Sequence, residues 1–307
     1  MSIRESIALA PLTTLGVGGP ARFFVDAEDV ASVRAALVWA AERGLRVRVL
    51  GGGSNVVISD GGFEGLVLRP ALRGLAFRQA GEHVEVAVSA GEAWDDVVAA
   101  CVERGLQGLE CLSGIPGWAG STPIQNVGAY GQEVAETIER VDVLDRETLE
   151  PVTLRTAECR FAYRDSRFKS DDAERFVVLA VHFRLRQGAA PSVRYAELAR
   201  HLEGSGVERP TLADVRSAVL LLRARKSMLY DTSDENGRSC GSFFTNPVVS
   251  PEAAKRIEEL AGAGTMPRYP QSDGRVKLAA GWLIERAGFD KGLRRGPVGL
   301  STKHALS

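Results

Sequence analysis

A serine in an unusual setting is the first residue of this sequence that could do chemistry. Ser242 follows Gly241 and precedes the aromatic pair Phe243 and Phe244, and Pro247 closes the segment. A serine hydroxyl can donate a proton, but it is a poor acid in neutral water, so a nearby cation or hydrogen-bond network must assist it. The competing interpretation is a turn serine before two phenylalanines of the core.

An arginine is the second candidate. Arg164 lies in the stretch 161–169, which reads FAYRDSRFK. Its guanidinium group stays charged, and its planar fork matches the geometry of a carboxylate. Arg164 could therefore hold an anionic group of a substrate. The competing interpretation is a surface arginine that pairs with the adjacent Asp165.

Three consecutive glycines form a loop that could bind phosphate. Glycine lets the backbone turn tightly, so successive N–H groups can point into one concavity and hold a pyrophosphate. The β-branched run 56–58 that follows predicts a strand, whereas Rossmann and Walker loops open a helix. A glycine turn without function is the alternative. The loop residues that we expect to bind a cofactor are Leu50, Gly51, Gly52, Gly53, Ser54 and Asn55.

A longer segment, from Ser113 to Gly131, is dense in glycine, proline and small hydroxyl residues. This composition argues against a regular helix or strand and lets backbone atoms approach a flat ligand closely. A long surface loop is the alternative, although Ile115, Ile124 and Val127 are apolar in a way that is unusual for exposed loops. The residues that we expect to contact a cofactor are Ser113, Gly114, Ile115, Pro116, Gly117, Gly120, Ser121, Gln125, Asn126, Gly128, Ala129, Tyr130 and Gly131.

Hydrophobic patterns predict the elements that position these segments. Helical periodicity predicts helices over 30–41, 94–104, 212–225, 251–260 and 278–287. Alternating or β-branched runs predict strands over 46–50, 56–58, 66–68, 83–88, 140–144 and 176–185. Helices and strands do not alternate regularly, so we expect a mixed α+β protein rather than a regular parallel α/β sheet.

Taken in this order, the segments resemble the UDP-N-acetylenolpyruvoylglucosamine reductase family over nearly the whole chain. The resemblance implies an α+β fold, in which a two-part FAD-binding fold of the vanillyl-alcohol-oxidase (PCMH) type precedes a third, substrate-binding α+β domain. The expected domains are residues 1–70 and 71–222, which bind FAD, and residues 223–307, which cover the substrate. None of the four histidines falls in either glycine-rich segment, so we expect non-covalent FAD.

The resemblance also implies a reaction. Members of the family use NADPH to reduce FAD, which then reduces UDP-N-acetylglucosamine enolpyruvate to UDP-N-acetylmuramate for the peptidoglycan of the cell wall. Arg164 would face the substrate carboxylate, and Ser242 would donate the proton. Lys226 aligns with a lysine that contacts the diphosphate, and Asn246 aligns with an asparagine of the same site. Tyr195 aligns with a mobile-loop tyrosine that covers the UDP moiety in one branch of the family; a tyrosine packed at a strand end is the alternative.

One expected residue has no counterpart in this sequence. The resemblance implies a catalytic glutamate near the C-terminus, whereas the sequence ends at Ser307. Glu258 and Glu285 align with non-catalytic positions, so neither is an obvious substitute. We therefore expect a C-terminally truncated protein whose third domain is incomplete. The alternatives to an active reductase are an FAD-dependent alcohol oxidase of the same fold and an inactive flavin-binding fragment.

Composition limits the partners. The 307 residues carry a formal net charge of −1, so no global field favours nucleic acid or an anionic membrane. No apolar window predicts a signal peptide or a membrane span. The four cysteines show no CxxC spacing, so metal binding and redox chemistry are not indicated. We expect a cytoplasmic monomer that binds NADPH and a UDP-sugar.

Overall fold

A small sheet carries the N-terminal part of the chain in the computed structural model, which describes residues 1–262 and 265–307. Its elements are β1 (Arg4–Ala8), β2 (Pro20–Ala27), α1 (Val30–Ala41), β3 (Val47–Val49) and β4 (Phe63–Pro70). The strand order is β1-β2-β4-β3, antiparallel in the first pair and parallel in the others. The carboxylate of Asp29 caps α1 by accepting a hydrogen bond from the amide of Ser32 at 2.6 Å.

A larger antiparallel sheet follows. Its order is β11-β10-β12-β6-β5, with β7 on the edge of β12, and β8 and β9 pair separately. Helix α2 buries Trp94, Val97 and Val98 against this sheet. The elements are β5 (Leu75–Ala80), β6 (His83–Ser89), α2 (Trp94–Glu103), β7 (Leu106–Gln107), β8 (Gly128–Ala129), β9 (Gln132–Glu133), β10 (Ile138–Asp145), β11 (Pro151–Arg155) and β12 (Phe176–Gln187).

The two sheets share a core. Leu37 of α1 belongs to the same buried cluster as Leu144 of β10 and Leu179 of β12. Each such side chain contributes roughly 1.5–3 kcal/mol when it is fully buried. This shared core fixes the position of the two sheets relative to each other, so the loops between them can form one binding surface.

Helices and a small sheet complete the chain. Helices α3 (Ala196–Gly204) and α4 (Leu212–Arg225) pack on each other through Leu198, Leu202 and Val219. The last strands form a three-stranded sheet in the order β13-β15-β14, and β16 pairs with β17. These elements are β13 (Val248–Val249), α5 (Pro251–Ala261), β14 (Arg268–Pro270), β15 (Val276–Leu278), α6 (Ala280–Arg286), β16 (Arg294–Arg295) and β17 (Val298–Gly299).

The predicted α+β class is confirmed, and one predicted strand is wrong. The run 56–58 forms no strand, so the glycine loop does not lie directly between two strands; the next one is β4. Val56 and Ile58 pack on the buried cluster that contains Phe24, whereas Val57 is 59% exposed. The β-branched residues of this run predict a strand, and their burial alternates as in a strand, but the run pairs with no neighbouring strand.

The last predicted helix begins later than expected. Val276–Leu278 pairs as β15, so α6 starts at Ala280, where the amide donates to Oδ1 of Asn246 at 2.9 Å. Among the described helices, none has the length and apolar character needed to cross a bilayer.

Candidate active site

One cleft runs between the N-terminal four-stranded sheet, the larger antiparallel sheet and the C-terminal elements. It has a volume of about 1410 Å³, whereas typical small-molecule sites measure roughly 300–1,000 Å³. Both glycine-rich segments line it, together with parts of 223–246 and 304–307. Two of the four tryptophans, Trp94 and Trp118, also line it. The cleft is large enough for a dinucleotide and a second ligand.

The glycine loop is in backbone contact with its surroundings. A Cβ atom at Gly52 would lie 2.7 Å from the Cα of Gly117, so the two glycine-rich segments meet backbone to backbone. Gly53 has a φ of 68°, and a Cβ there would lie 1.9 Å from the carbonyl oxygen of Leu12. Side chains at these positions would separate the walls of the cleft.

The glycine loop keeps backbone amides that have no partner in the described part of the protein, and four of its residues, Gly51, Gly53, Ser54 and Asn55, line the cleft. Within the described ranges, the backbone N–H groups of residues 51–55 donate no hydrogen bond to the protein. The side chains fasten the loop instead: the hydroxyl of Ser54 donates to the carbonyl of Pro116 at 2.9 Å, and Nδ2 of Asn55 donates to the carbonyl of Cys240 at 2.8 Å. Such a row of free amides fits a pyrophosphate, so the loop fits the phosphate end of FAD.

Asn126 supports the second segment from behind. Its Nδ2 donates to Glu133 Oε2 at 2.8 Å and to the carbonyl of Ala162 at 3.0 Å, and its Oδ1 accepts from the amide of Ala135 at 3.1 Å. The side chain is 2% exposed and is fully used within the protein. Asn126 therefore fixes the loop from outside the cleft wall.

The structure divides the expected cofactor residues into two groups. Gly52, Ser113, Gly114, Gly117 and Asn126 lie behind the wall, where they support it, and a direct contact of their side chains with a cofactor is not indicated. The remaining cofactor contacts stay predictions. The expected residues that line the cleft are Leu50, Gly51, Gly53, Ser54, Asn55, Ile115, Pro116, Gly120, Ser121, Gln125, Gly128, Ala129, Tyr130 and Gly131.

Arg164 is held on the cleft wall by the second segment. Its guanidinium group donates to the carbonyls of Asn126, at 3.3 Å, and Gly128, and lies 3.5 Å from Glu133. Asp165 accepts from two serines instead, so the proposed pairing with Arg164 is wrong. Arg164 has a φ of 55°, a conformation that costs on the order of 1–3 kcal/mol. These contacts maintain that conformation and hold the guanidinium group in the cleft.

Ser242 also lines the cleft and is exposed. The segment turns at Gly241, where φ is 79°, and the amide of Phe243 donates to the carbonyl of Leu306 at 2.8 Å. Phe243 and Phe244 are 67% and 55% exposed. The interpretation of Ser242 as a turn residue before two core phenylalanines is therefore wrong, because neither ring belongs to the core.

The three expected substrate residues also line the cleft. Lys226 follows α4, and its Nζ donates to Oε2 of Glu197 at 2.6 Å. Tyr195 directly precedes α3 rather than ending a strand, and its ring lies 5.5 Å from that of Tyr130 in an edge-to-face contact. Asn246 uses its Oδ1 to cap α6 while it lines the cleft. Substrate binding by these residues stays a prediction.

Sequence reasoning missed several polar groups of the cleft. The Nζ of Lys277 lies 4.6 Å from the ring centre of Tyr163. Burial lowers the pKa of His304, and the neighbouring lysines add to this effect. Arg223 is only 8% exposed, and burial lowers its pKa. The charged run 223–226 looks like a solvated helix end in the sequence, and only the fold turns Arg223 inward.

Comparisons with known proteins agree with this geometry. Residues 21–148 match the FAD binding domain model, and residues 232–307 match the model of the UDP-N-acetylenolpyruvoylglucosamine reductase C-terminal domain. The chain is similar to UDP-N-acetylenolpyruvoylglucosamine reductase of Streptomyces avermitilis, with 51% identity over 97% of this chain and 83% of the relative. The corresponding protein of Thermobifida fusca is 48% identical over 100% of this chain and 87% of the relative.

A solved structure shows the same architecture. The UDP-N-acetylenolpyruvylglucosamine reductase from Thermus caldophilus superposes with a TM-score of 0.66 at 25% identity, covering 99% of this chain and 87% of the other. The expected FAD-binding fold with an added C-terminal domain is thereby confirmed, and these matches support the reductase over an alcohol oxidase. The chain belongs to the UDP-N-acetylenolpyruvoylglucosamine reductase family.

Proposed function

We propose that the chain is an FAD-containing oxidoreductase that uses NADPH to reduce UDP-N-acetylglucosamine enolpyruvate to UDP-N-acetylmuramate. The observation that carries the proposal is a single cleft that joins a row of free amides, at residues 51–55, to Arg164, Ser242 and Lys226. This arrangement suits one anionic cofactor and one anionic substrate in contact with each other. Peptidoglycan synthesis is the process that such a reaction serves.

Each group has a task in that reaction. The bound flavin supplies the chemistry of hydride transfer. The guanidinium group of Arg164 would hold the substrate carboxylate and stabilise the negative charge that develops there. The hydroxyl of Ser242 would hold the proton that the substrate carbon receives. Lys226, Asn246 and Tyr195 would bind the UDP part, because a cation and two hydrogen-bonding side chains suit a nucleoside diphosphate.

We also propose that FAD is held without a covalent bond and that the protein is a cytoplasmic monomer. The support for the first point is that His304, the histidine that lines the cleft, belongs to neither glycine-rich segment. The second point follows from the family resemblance and stays a prediction.

Denaturation of the purified protein tests the cofactor. We expect acid to precipitate the protein and to leave yellow FAD in the supernatant. Colour that stays with the precipitate contradicts non-covalent binding. A colourless protein that takes up no added FAD contradicts the proposed function itself. Consumption of NADPH that depends on the enolpyruvyl substrate, measured by absorbance, then tests the reaction.

A further inference from the structure

The lysine that is expected to bind the substrate diphosphate, Lys226, already forms an ion pair with a carboxylate of the protein. Oε2 of Glu197 accepts a hydrogen bond from Nζ of Lys226 at 2.6 Å, and the two side chains are 31% and 29% exposed. Both residues line the cleft. The Nζ atom also lies 5.9 Å from the ring centre of Tyr130. The charge of Lys226 is thus balanced by the protein itself.

The position of Glu197 is fixed by its helix. Glu197 lies in the first turn of α3, two residues after Tyr195, where the helix dipole favours a negative charge. The ring of Tyr195 packs against Tyr130, so this end of α3 rests on the second glycine-rich segment. Burial raises the pKa of both tyrosines, to about 12 for Tyr130, and the charge of Glu197 adds to the effect. The charge of Glu197 therefore acts on both tyrosines at this end of the cleft.

We infer that Glu197 is a positioning residue that competes with the ligand: it holds the ammonium group of Lys226 until a ligand with a larger negative charge displaces it. The inference rests on the proposed function, because it takes a diphosphate as the displacing group. A carboxylate carries one negative charge, whereas the diphosphate of a UDP-sugar carries about two in total, one on each phosphate, and offers more acceptor oxygens. An uncharged ligand offers Lys226 nothing and leaves the ion pair intact. Glu197 thus lowers the affinity of the site for diphosphates and leaves its affinity for uncharged ligands unchanged.

Titration calorimetry of the flavin-loaded protein with UDP and with uridine tests this role. In Glu197→Gln, Lys226 has no charged partner to leave, so we expect the Kd for UDP to fall roughly two- to tenfold. The Kd for uridine stays the same, because uridine has no phosphate. The matched control is Glu203→Gln, which removes an exposed carboxylate from the same helix and leaves both affinities unchanged.

A second background separates occupation of Lys226 from simple repulsion of the ligand. We expect Glu197→Gln to improve UDP binding less in Lys226→Met than in the wild-type background, because no lysine is released there. An equal or larger gain in Lys226→Met overturns the inference, as does an unchanged Kd in Glu197→Gln alone. A wild-type protein that binds no UDP overturns the proposed function as well, whereas UDP binding that is insensitive to Glu197 overturns this inference alone.

Discussion

At the scale of single residues, Ser242 is set apart by the exposure of its neighbours. The phenylalanines after it are 67% and 55% exposed, so the segment has no role in the core that would explain its position. In a protein that carries the expected C-terminal glutamate, we predict that Ser242→Ala slows reduction of the enolpyruvyl substrate by a factor on the order of 10² or more, the scale expected for losing a general acid. Stopped-flow absorbance of the flavin measures both half-reactions.

The half-reaction with NADPH is the internal control for Ser242. It needs no proton from the hydroxyl, so its rate in Ser242→Ala should match that of the wild type. Equal slowing of both half-reactions would mean that the hydroxyl supports the structure of the cleft and not the protonation step.

Arg164 and Arg160 form a matched pair. Both have φ near 50°, but Arg160 pairs with Asp171 away from the cleft. We predict that Arg164→Lys slows substrate reduction at least tenfold, because an ammonium group cannot reproduce a bidentate contact with a carboxylate. Flavin reduction by NADPH should be unaffected. Arg160→Lys should leave both rates unchanged, and similar losses in the two variants would point to strain in the backbone as the cause.

The individual residues of the site were largely predictable, whereas their contacts were not. Arg164 and Ser242 lie in segments whose residue types suggest chemistry, and Lys226 is expected from the family resemblance. All three line the cleft, and their roles stay predictions. The partner of Lys226 is Glu197, which is 29 residues away. No periodicity or spacing marks such a pair, because it depends on how α3 packs on α4.

At the scale of elements, one carboxylate joins two helices to a loop of the cleft. Asp95 of α2 accepts two hydrogen bonds from Arg216 of α4, at 2.6 and 2.8 Å, and one from the amide of Gly114 at 2.6 Å. We predict that Asp95→Asn raises the Kd for FAD several-fold, because an amide cannot accept the full bidentate pair. Flavin fluorescence during titration of the apoprotein measures this. The exposed neighbour offers a control, Asp96→Asn, which should bind FAD like the wild type.

The same carboxylate gives a pH dependence. Burial acts to raise the pKa of Asp95, but the hydrogen bonds from Arg216 and Gly114 outweigh it and hold the pKa below its usual value. Such a group stabilises the fold above its unfolded pKa of about 3.9, and the contribution is lost as the pH falls through the lower folded value. We predict that the free energy of unfolding decreases more steeply below about pH 4 in the wild type than in Asp95→Asn. Parallel urea-denaturation curves would contradict this.

Elements with local end signals were predictable from the sequence. Helix α4 has the predicted bounds, 212–225, because Thr211 and Asp214 cap each other at its start. The run 56–58 was mispredicted as a strand because its residues are β-branched, while pairing depends on a neighbour that lies elsewhere in the chain. The order of the strands and the contact between the two glycine-rich segments also depend on parts of the chain that are distant in sequence, so local patterns do not predict them.

At the scale of the whole molecule, the cleft joins parts that are distant in sequence. The side chain of Asn55 donates a hydrogen bond to the carbonyl of Cys240, which joins the glycine loop to the Ser242 segment. The hydroxyl of Thr14 donates to the carbonyl of Ser239 and holds the same segment. We predict that saturating FAD raises the Tm of the apoprotein by several degrees, because a ligand at 100 times its Kd adds about 2.7 kcal/mol. Scanning calorimetry measures the shift. Riboflavin lacks the pyrophosphate and should raise the Tm less than FAD does. Equal Tm shifts for the two ligands would argue against the amides of 51–55 as the binding site of the pyrophosphate.

The two tryptophans in the cleft wall give the protein an optical readout of its own. Indole emission overlaps the absorption band of oxidised flavin, so Trp94 and Trp118 should lose fluorescence when the cleft is filled. Trp39, which packs against Phe23 beside the core shared by the two sheets, and Trp282 of α6 are not among the residues that line the cleft and supply a less sensitive background. Cofactor loading could thus be followed in unlabelled protein, at dilutions where the colour of the flavin is too weak to see.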